Sequence, residues 1–94
     1  MREYIVKKLF IEGLGEEINY DQVYFKIHRE KNCKWTIDIE YPGPKDFFIM
    51  AAYYGNEVEF TFSTIYVTDV KGIAEVKKVK ANSNYVQLSG IGLL

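Results

Sequence analysis

The sequence predicts an all-β fold: a single small barrel or two-layer sandwich of six to seven mostly antiparallel strands. Three observations predict it. Across 22–41, Val23, Phe25 and Ile27 alternate with Tyr24, Lys26 and His28; after a polar break at 30–34, Trp35, Ile37, Ile39 and Tyr41 alternate with Lys34, Thr36, Asp38 and Glu40. A period of two over two such runs is the pattern of a β-hairpin with one face on a core and one in water. Aromatic residues make up 16% of the chain, and with Val, Ile and Thr they suit a half-buried pleated surface. Turn-forming residues recur roughly every ten positions, the spacing of a sandwich or small barrel.

Taken in order, the first strand is expected over 4–12, ending where Gly13 and Gly15 allow a tight bend. A connecting loop follows at 16–21, with Ile18 and Tyr20 turned inward. The central hairpin pairs 22–29 with 34–41. Setting Ile27 opposite Trp35 brings Phe25 onto Ile37 and Val23 onto Ile39, apolar pairs of the kind that stabilise a sheet. Pro42, Gly43 and Pro44 stop the strand, because proline cannot donate to a ladder. Two readings compete at 46–55. A strand buried on both faces suits the flanking aromatics and is preferred. A short helix suits Met50, Ala51 and Ala52, with Asp46 as N-cap and Gly55 as C′ residue. Gly55 and Asn56 turn the chain into a strand at 57–62, with Val58, Phe60 and Phe62 inward. Ile65 and Val67 fall on the opposite parity, so a β-bulge is expected near Ser63 and Thr64. A turn at 68–72, a strand at 73–80, a turn at Asn82, Ser83 and Asn84 and a last strand at 85–94 complete the chain, with Val76 opposite Leu88. The barrel or sandwich can also carry one short helix at 46–54; the largest alternative architecture is an α+β roll in which that helix plugs the sheet.

Ninety-four residues make one domain, spanning 1–94, which should fold without a staple. The net charge of −1 offers no broad field to nucleic acid or anionic lipid, and ten lysines against two arginines is not the balance of a phosphate reader. A single cysteine excludes an intramolecular disulfide. The start of the chain leads straight into a strand-like run without a signal-peptide pattern, so the cytoplasm is the expected compartment. The longest apolar run, 47–54, is far below the roughly 18 residues that span a bilayer.

Residues that could carry chemistry are few. His28, the single histidine, lies on the polar face of the hairpin near Thr36 and Asp38, the pattern of a solvated strand face rather than of a general base. Cys33 falls in the hairpin turn between lysines and reads as an incidental loop thiol. One histidine and one cysteine do not make a zinc site, and no calcium loop is written in the sequence; no cofactor is expected. Gly13 with Gly15, and Gly90 with Gly92, do not complete a phosphate loop and read as turn and close-packing glycines. No nucleophile motif accompanies any of them, so the chain is expected not to be an enzyme.

The aromatics and the C-terminal leucines carry the functional expectation. Tyr41, Phe48, Tyr53, Tyr54 and Tyr66, near turns, together with Leu93 and Leu94, form the expected partner-binding set, since tyrosine gives large contact area at low entropic cost. The pattern Ser89, Gly90, x, Gly92, x, Leu94 after Gly72, x, Ala74, x, Val76 resembles the last hairpin of phage tail-tube subunits, over that hairpin alone, and no residue role is carried over from it. The leading expectation is a non-enzymatic protein-interaction or assembly module that self-associates as a homo-oligomer, such as a phage or mobile-element structural subunit. One alternative is an inhibitor or immunity-type protein, monomeric until it meets one partner. The other is a β-barrel that binds a small molecule or, against the charge balance, nucleic acid.

Overall fold

The computed structural model describes residues 2–13, 22–29, 32, 34–40, 45–79 and 85–92. Among them are seven strands and one helix: β1 (Arg2–Ile5), β2 (Lys8–Ile11), β3 (Gln22–His28), β4 (Lys34–Glu40), α1 (Lys45–Tyr54), β5 (Glu57–Ser63), β6 (Val70–Val79) and β7 (Tyr85–Ile91). The strands form one sheet in the order β1-β3-β4-β7-β6-β5-β2, with every pair antiparallel.

That order shows how the sheet curls. β1 and β2 are neighbours in sequence but occupy opposite edges. The expected first strand is therefore one strand in two halves. Val6 N donates to Val23 O (2.9 Å), continuing the β1–β3 ladder, and Lys7 N donates to Ser63 O (2.7 Å), opening the β2–β5 ladder. The chain changes partner between two residues and draws the edges together into a curled half-barrel. Cross-strand partners from Glu3 run through Lys26, Thr36, Ser89 and Glu75 to Glu57, beyond the end of β2, whose Ile11 faces Phe60. This stagger is the shear that a closing sheet requires.

The core lies inside the curl, where the alternation of each strand sends it. Val23 and Phe25 of β3, Trp35, Ile37 and Ile39 of β4, Phe60 and Phe62 of β5, and Val86 and Leu88 of β7 are all buried. The hairpin register is the expected one, with Ile27 on Trp35, Phe25 on Ile37 and Val23 on Ile39. Val76 also faces Leu88. Gly90 has the close-packing role expected of it: a Cβ there would lie 2.0 Å from Trp35 Cε2, so the indole sits directly on the glycine backbone. The Trp35 Nε1–H also donates to Gly92 O at 3.0 Å, which satisfies the buried ring's one polar group.

Beyond the divided first strand, two segments differ from expectation. The preferred strand at 46–55 is a helix. A run buried on both faces needs two covering layers, whereas a single curled sheet has one interior. The helix instead buries Phe48 and Ala51, one turn apart, and leaves its far side outside. Its end is closed by two bonds, Asn56 N to Ala51 O (2.9 Å) and Gly55 N to Ala52 O (3.3 Å), with Gly55 at φ 67°. This is a Schellman cap with Gly55 at C′. Asp46 falls in the first turn rather than ahead of it, where its charge opposes the helix dipole's positive end.

The second difference is at 63–69. The bulge expected at Ser63 and Thr64 is absent, because β5 stops there and a compact turn follows. Thr64 Oγ1 accepts from the Tyr66 and Val67 amides (3.0 and 3.3 Å), and Ser63 Oγ accepts from Asp69 N (2.9 Å). Hydroxyls next to the backbone have out-competed the ladder. Strand β6 consequently starts at Val70, inside the expected turn at 68–72, and a register shift falls between Val76 and Lys78. The expected loop at 16–21 and the turns at 42–44 and 82–84 lie outside the described residues.

Candidate functional site

The partner-binding set expected from the sequence does not form one patch. Phe48 is a correction: it is fully buried, because it points from α1 into the core, and it cannot meet a partner. Tyr53 and Tyr54 are 80% and 63% exposed and pack edge to face, ring centroids 5.0 Å apart. Tyr66 is 73% exposed in the 63–69 turn. Strand β5 separates that turn from α1, and its seven residues span about 20 Å. Tyr41, Leu93, Leu94 and Cys33 lie outside the described residues.

The structure instead presents three surfaces. The first is the outer side of α1, where Ile49, Met50, Tyr53 and Tyr54 are exposed. Positions i, i+1, i+4 and i+5 form one contiguous stripe on a helix. With Phe48 and Ala51 on the opposite side, the helix is apolar nearly all round, and no basic residue occupies its last turn. A helix of that kind is normally covered on both sides.

The second surface is a groove at the other end of the barrel, about 570 Å³ in volume. Buried Phe25 and Phe62 make its floor, with ring centroids 4.9 Å apart. Half-buried Tyr4 and Val70 make its walls, and Tyr66 and Arg2 its rim. The Tyr66 ring meets Tyr4 edge-on at 6.0 Å, which ties the turn to β1.

The third is a polar cluster on the outer face of β3, β4 and β7. Asp38, expected in water, is only 4% exposed. Lys26 Nζ lies 2.6 Å from Asp38 Oδ2 and 3.7 Å from Glu3 Oε1. Gln87 Nε2 donates to Asp38 Oδ1 (3.1 Å) and to the Tyr85 hydroxyl oxygen (3.3 Å). The hydrogen bond to Asp38 raises the Lys26 ammonium above the ordinary lysine value, against the opposing effect of burial. Burial, reinforced by the Asp38 charge, likewise raises Tyr85. A buried carboxylate held by a cation and an amide is a satisfied structural group. His28, also half-buried on this face, is hydrogen-bonded through Nε2 to Thr36 Oγ1 at 3.1 Å.

Among the described residues no cluster of three or more His, Cys, Asp or Glu could hold a metal ion, and no helix is long and apolar enough to cross a membrane. No family model, no curated protein and no solved structure matches this chain. The architecture is that of a small β half-barrel, consistent in general terms with a structural or interaction role.

Proposed function

We propose that this chain is a non-enzymatic interaction module that self-associates through the outer side of α1. The observation that carries the reading is the stripe of Ile49, Met50, Tyr53 and Tyr54, exposed on a helix whose opposite side already serves the core. Contiguous apolar surface of this kind gains free energy when covered. Tyrosine and methionine are also the residues that interface centres favour. Sheet-edge pairing is the weaker route. Both edges belong to one bent strand, and each is only four residues long, which is how sheets limit edge-to-edge contact.

Sedimentation velocity over a concentration series tests the reading. The parent chain is expected to sediment faster as concentration rises, and the Met50→Lys, Tyr53→Lys double variant to remain a monomer with an unchanged melting temperature. A parent chain that stays monomeric at hundreds of micromolar overturns self-association. It would leave the inhibitor-type reading, in which the same stripe meets a different protein.

A further inference from the structure

The groove at the end of the barrel away from α1 has a chemistry of its own, independent of self-association. We infer that it is a binding site for a small carboxylate with an apolar body, an aromatic ring or a short aliphatic chain. The body would rest against Tyr4, Ile27 and Val67 over the Phe25 and Phe62 floor, and the carboxylate would meet Arg2 at the rim.

Four observations lead there. The groove's volume of about 570 Å³ is within the range of small-molecule sites. Its floor is the outer end of a continuous aromatic cluster. Phe25 packs on Phe62 at 4.9 Å and on Trp35 at 5.8 Å, and Trp35 on Phe60 at 5.5 Å, so the floor is fixed by the core, while Tyr4, Ile27 and Val67 above it supply the accessible apolar contact. The rim is also held in advance: the Ser63 and Thr64 hydroxyls lock the turn, and the Tyr66–Tyr4 contact docks it. A preformed site avoids the ordering cost that weakens binding to mobile loops. Finally, Arg2 is the one charged side chain among the described residues lining the groove, and it makes no ion pair with any of them. A guanidinium offers a planar fork that matches a carboxylate. A neutral ligand would leave that fork unused, and a cation would be repelled by it.

The test is an amide chemical-shift titration with 4-phenylbutyrate, 4-phenylbutanol and 4-phenylbutylamine, which share one body and differ in the head group. The acid is expected to shift amides of β1, β3 and the 63–70 segment and to bind about fivefold more tightly than the alcohol, the scale of one solvent-accessible ion pair. The amine is expected to bind more weakly than the alcohol. Arg2→Gln should bring acid and alcohol to equal affinity while leaving the melting temperature unchanged, and Arg2→Lys should keep part of the preference. Running the series also on the Met50→Lys, Tyr53→Lys variant separates the result from any self-association. The inference is overturned by shifts that map elsewhere, by no saturable shift with any of the three, by equal binding of acid and alcohol to the parent, or by a preference that survives Arg2→Gln.

Discussion

Where β2 ends and β5 begins, α1 lays Phe48 and Ala51 over the core and carries Tyr53 and Tyr54 out into solvent. At the other end, buried Phe25 and Phe62 back an open groove beneath Tyr66. Both ends expose apolar residues, but Tyr53 and Tyr54 stand out from a helix, while Met50 beside them borders a groove of about 630 Å³ that Glu12, Asp46 and Glu57 make acidic, and the far end is a groove backed by aromatics with Arg2 at its rim. A convex stripe on a helix cannot enclose a small molecule and can only be covered by another surface of similar size. A concave groove with one guanidinium at its rim can enclose a small molecule. On the two proposals above, the helix end takes a protein surface and the groove end a small molecule, and shape is what separates them.

The largest expected effect comes from removing what supports the open end. Trp35 is buried against Phe25, Phe60 and Gly90, and its indole N–H is bonded to Gly92 O. Trp35→Ala should cost about 3–5 kcal/mol, a large part of the stability of a domain this size. Denaturant unfolding would measure it. A variant melting within a few degrees of the parent would mean that the inward face of the hairpin is assigned backwards.

Two glycines give a finer contrast between the ends. Gly90 lies under Trp35, where a Cβ has no room. Gly55 caps α1 at φ 67° with nothing within 4 Å of its would-be Cβ. Gly90→Ala therefore overpacks the core, at the upper end of roughly 1–3 kcal/mol. Gly55→Ala meets only backbone strain, roughly 1 kcal/mol. Equal losses in the two variants would indicate that the indole can move aside and that the open end is less rigid than described.

The smallest effect concerns the cluster on the outer face of the β3–β4–β7 region. The folded state raises the Lys26 pKa above its ordinary 10.5 and the Tyr85 pKa above its ordinary 10.0. For both groups the favourable contribution is fully present below the ordinary value and is lost as pH rises through the folded one. Stability should therefore fall in alkali above about pH 10, by an amount within about 1 kcal/mol for the lysine, which stays partly in water. Lys26→Gln should flatten that fall. Melting profiles of parent and variant that stay parallel through the alkaline range would remove the lysine from the cluster's energetics.

How much of this was legible in the sequence varies with the kind of interaction. The hairpin register was legible because a period of two sends Phe25, Trp35 and Ile37 to one side, a one-residue slip would turn them all to water, and the short polar break at 30–34 sets how the two runs meet. Gly90 read as a turn or close-packing glycine because it completes no phosphate loop, but its contact with Trp35 was not legible. At 46–55 an unbroken apolar run has no period to read, and the choice fell to the number of layers available to bury it. The 63–69 turn depends on two hydroxyls, which the strand pattern ignores. Asp38 read as solvated because alternation assigns a face but not its neighbours; Lys26 and Gln87 reach it from the strands on either side. The groove was hidden for the same reason, since Arg2, Phe25 and Phe62 come together only when the first strand bends to serve both edges. Of the residues the sequence offered for partner binding, Tyr53, Tyr54 and Tyr66 are exposed, whereas Phe48 is in the core.

The central claim, that the helix end meets protein while the groove end remains free, is tested most directly by amide spectra of the parent chain recorded across a dilution series. Concentration-dependent shifts are expected at 49–56, with the amides of 63–70 and of β1 unchanged. Shifts centred on 63–70, or none anywhere over the range in which sedimentation reports association, would contradict the account.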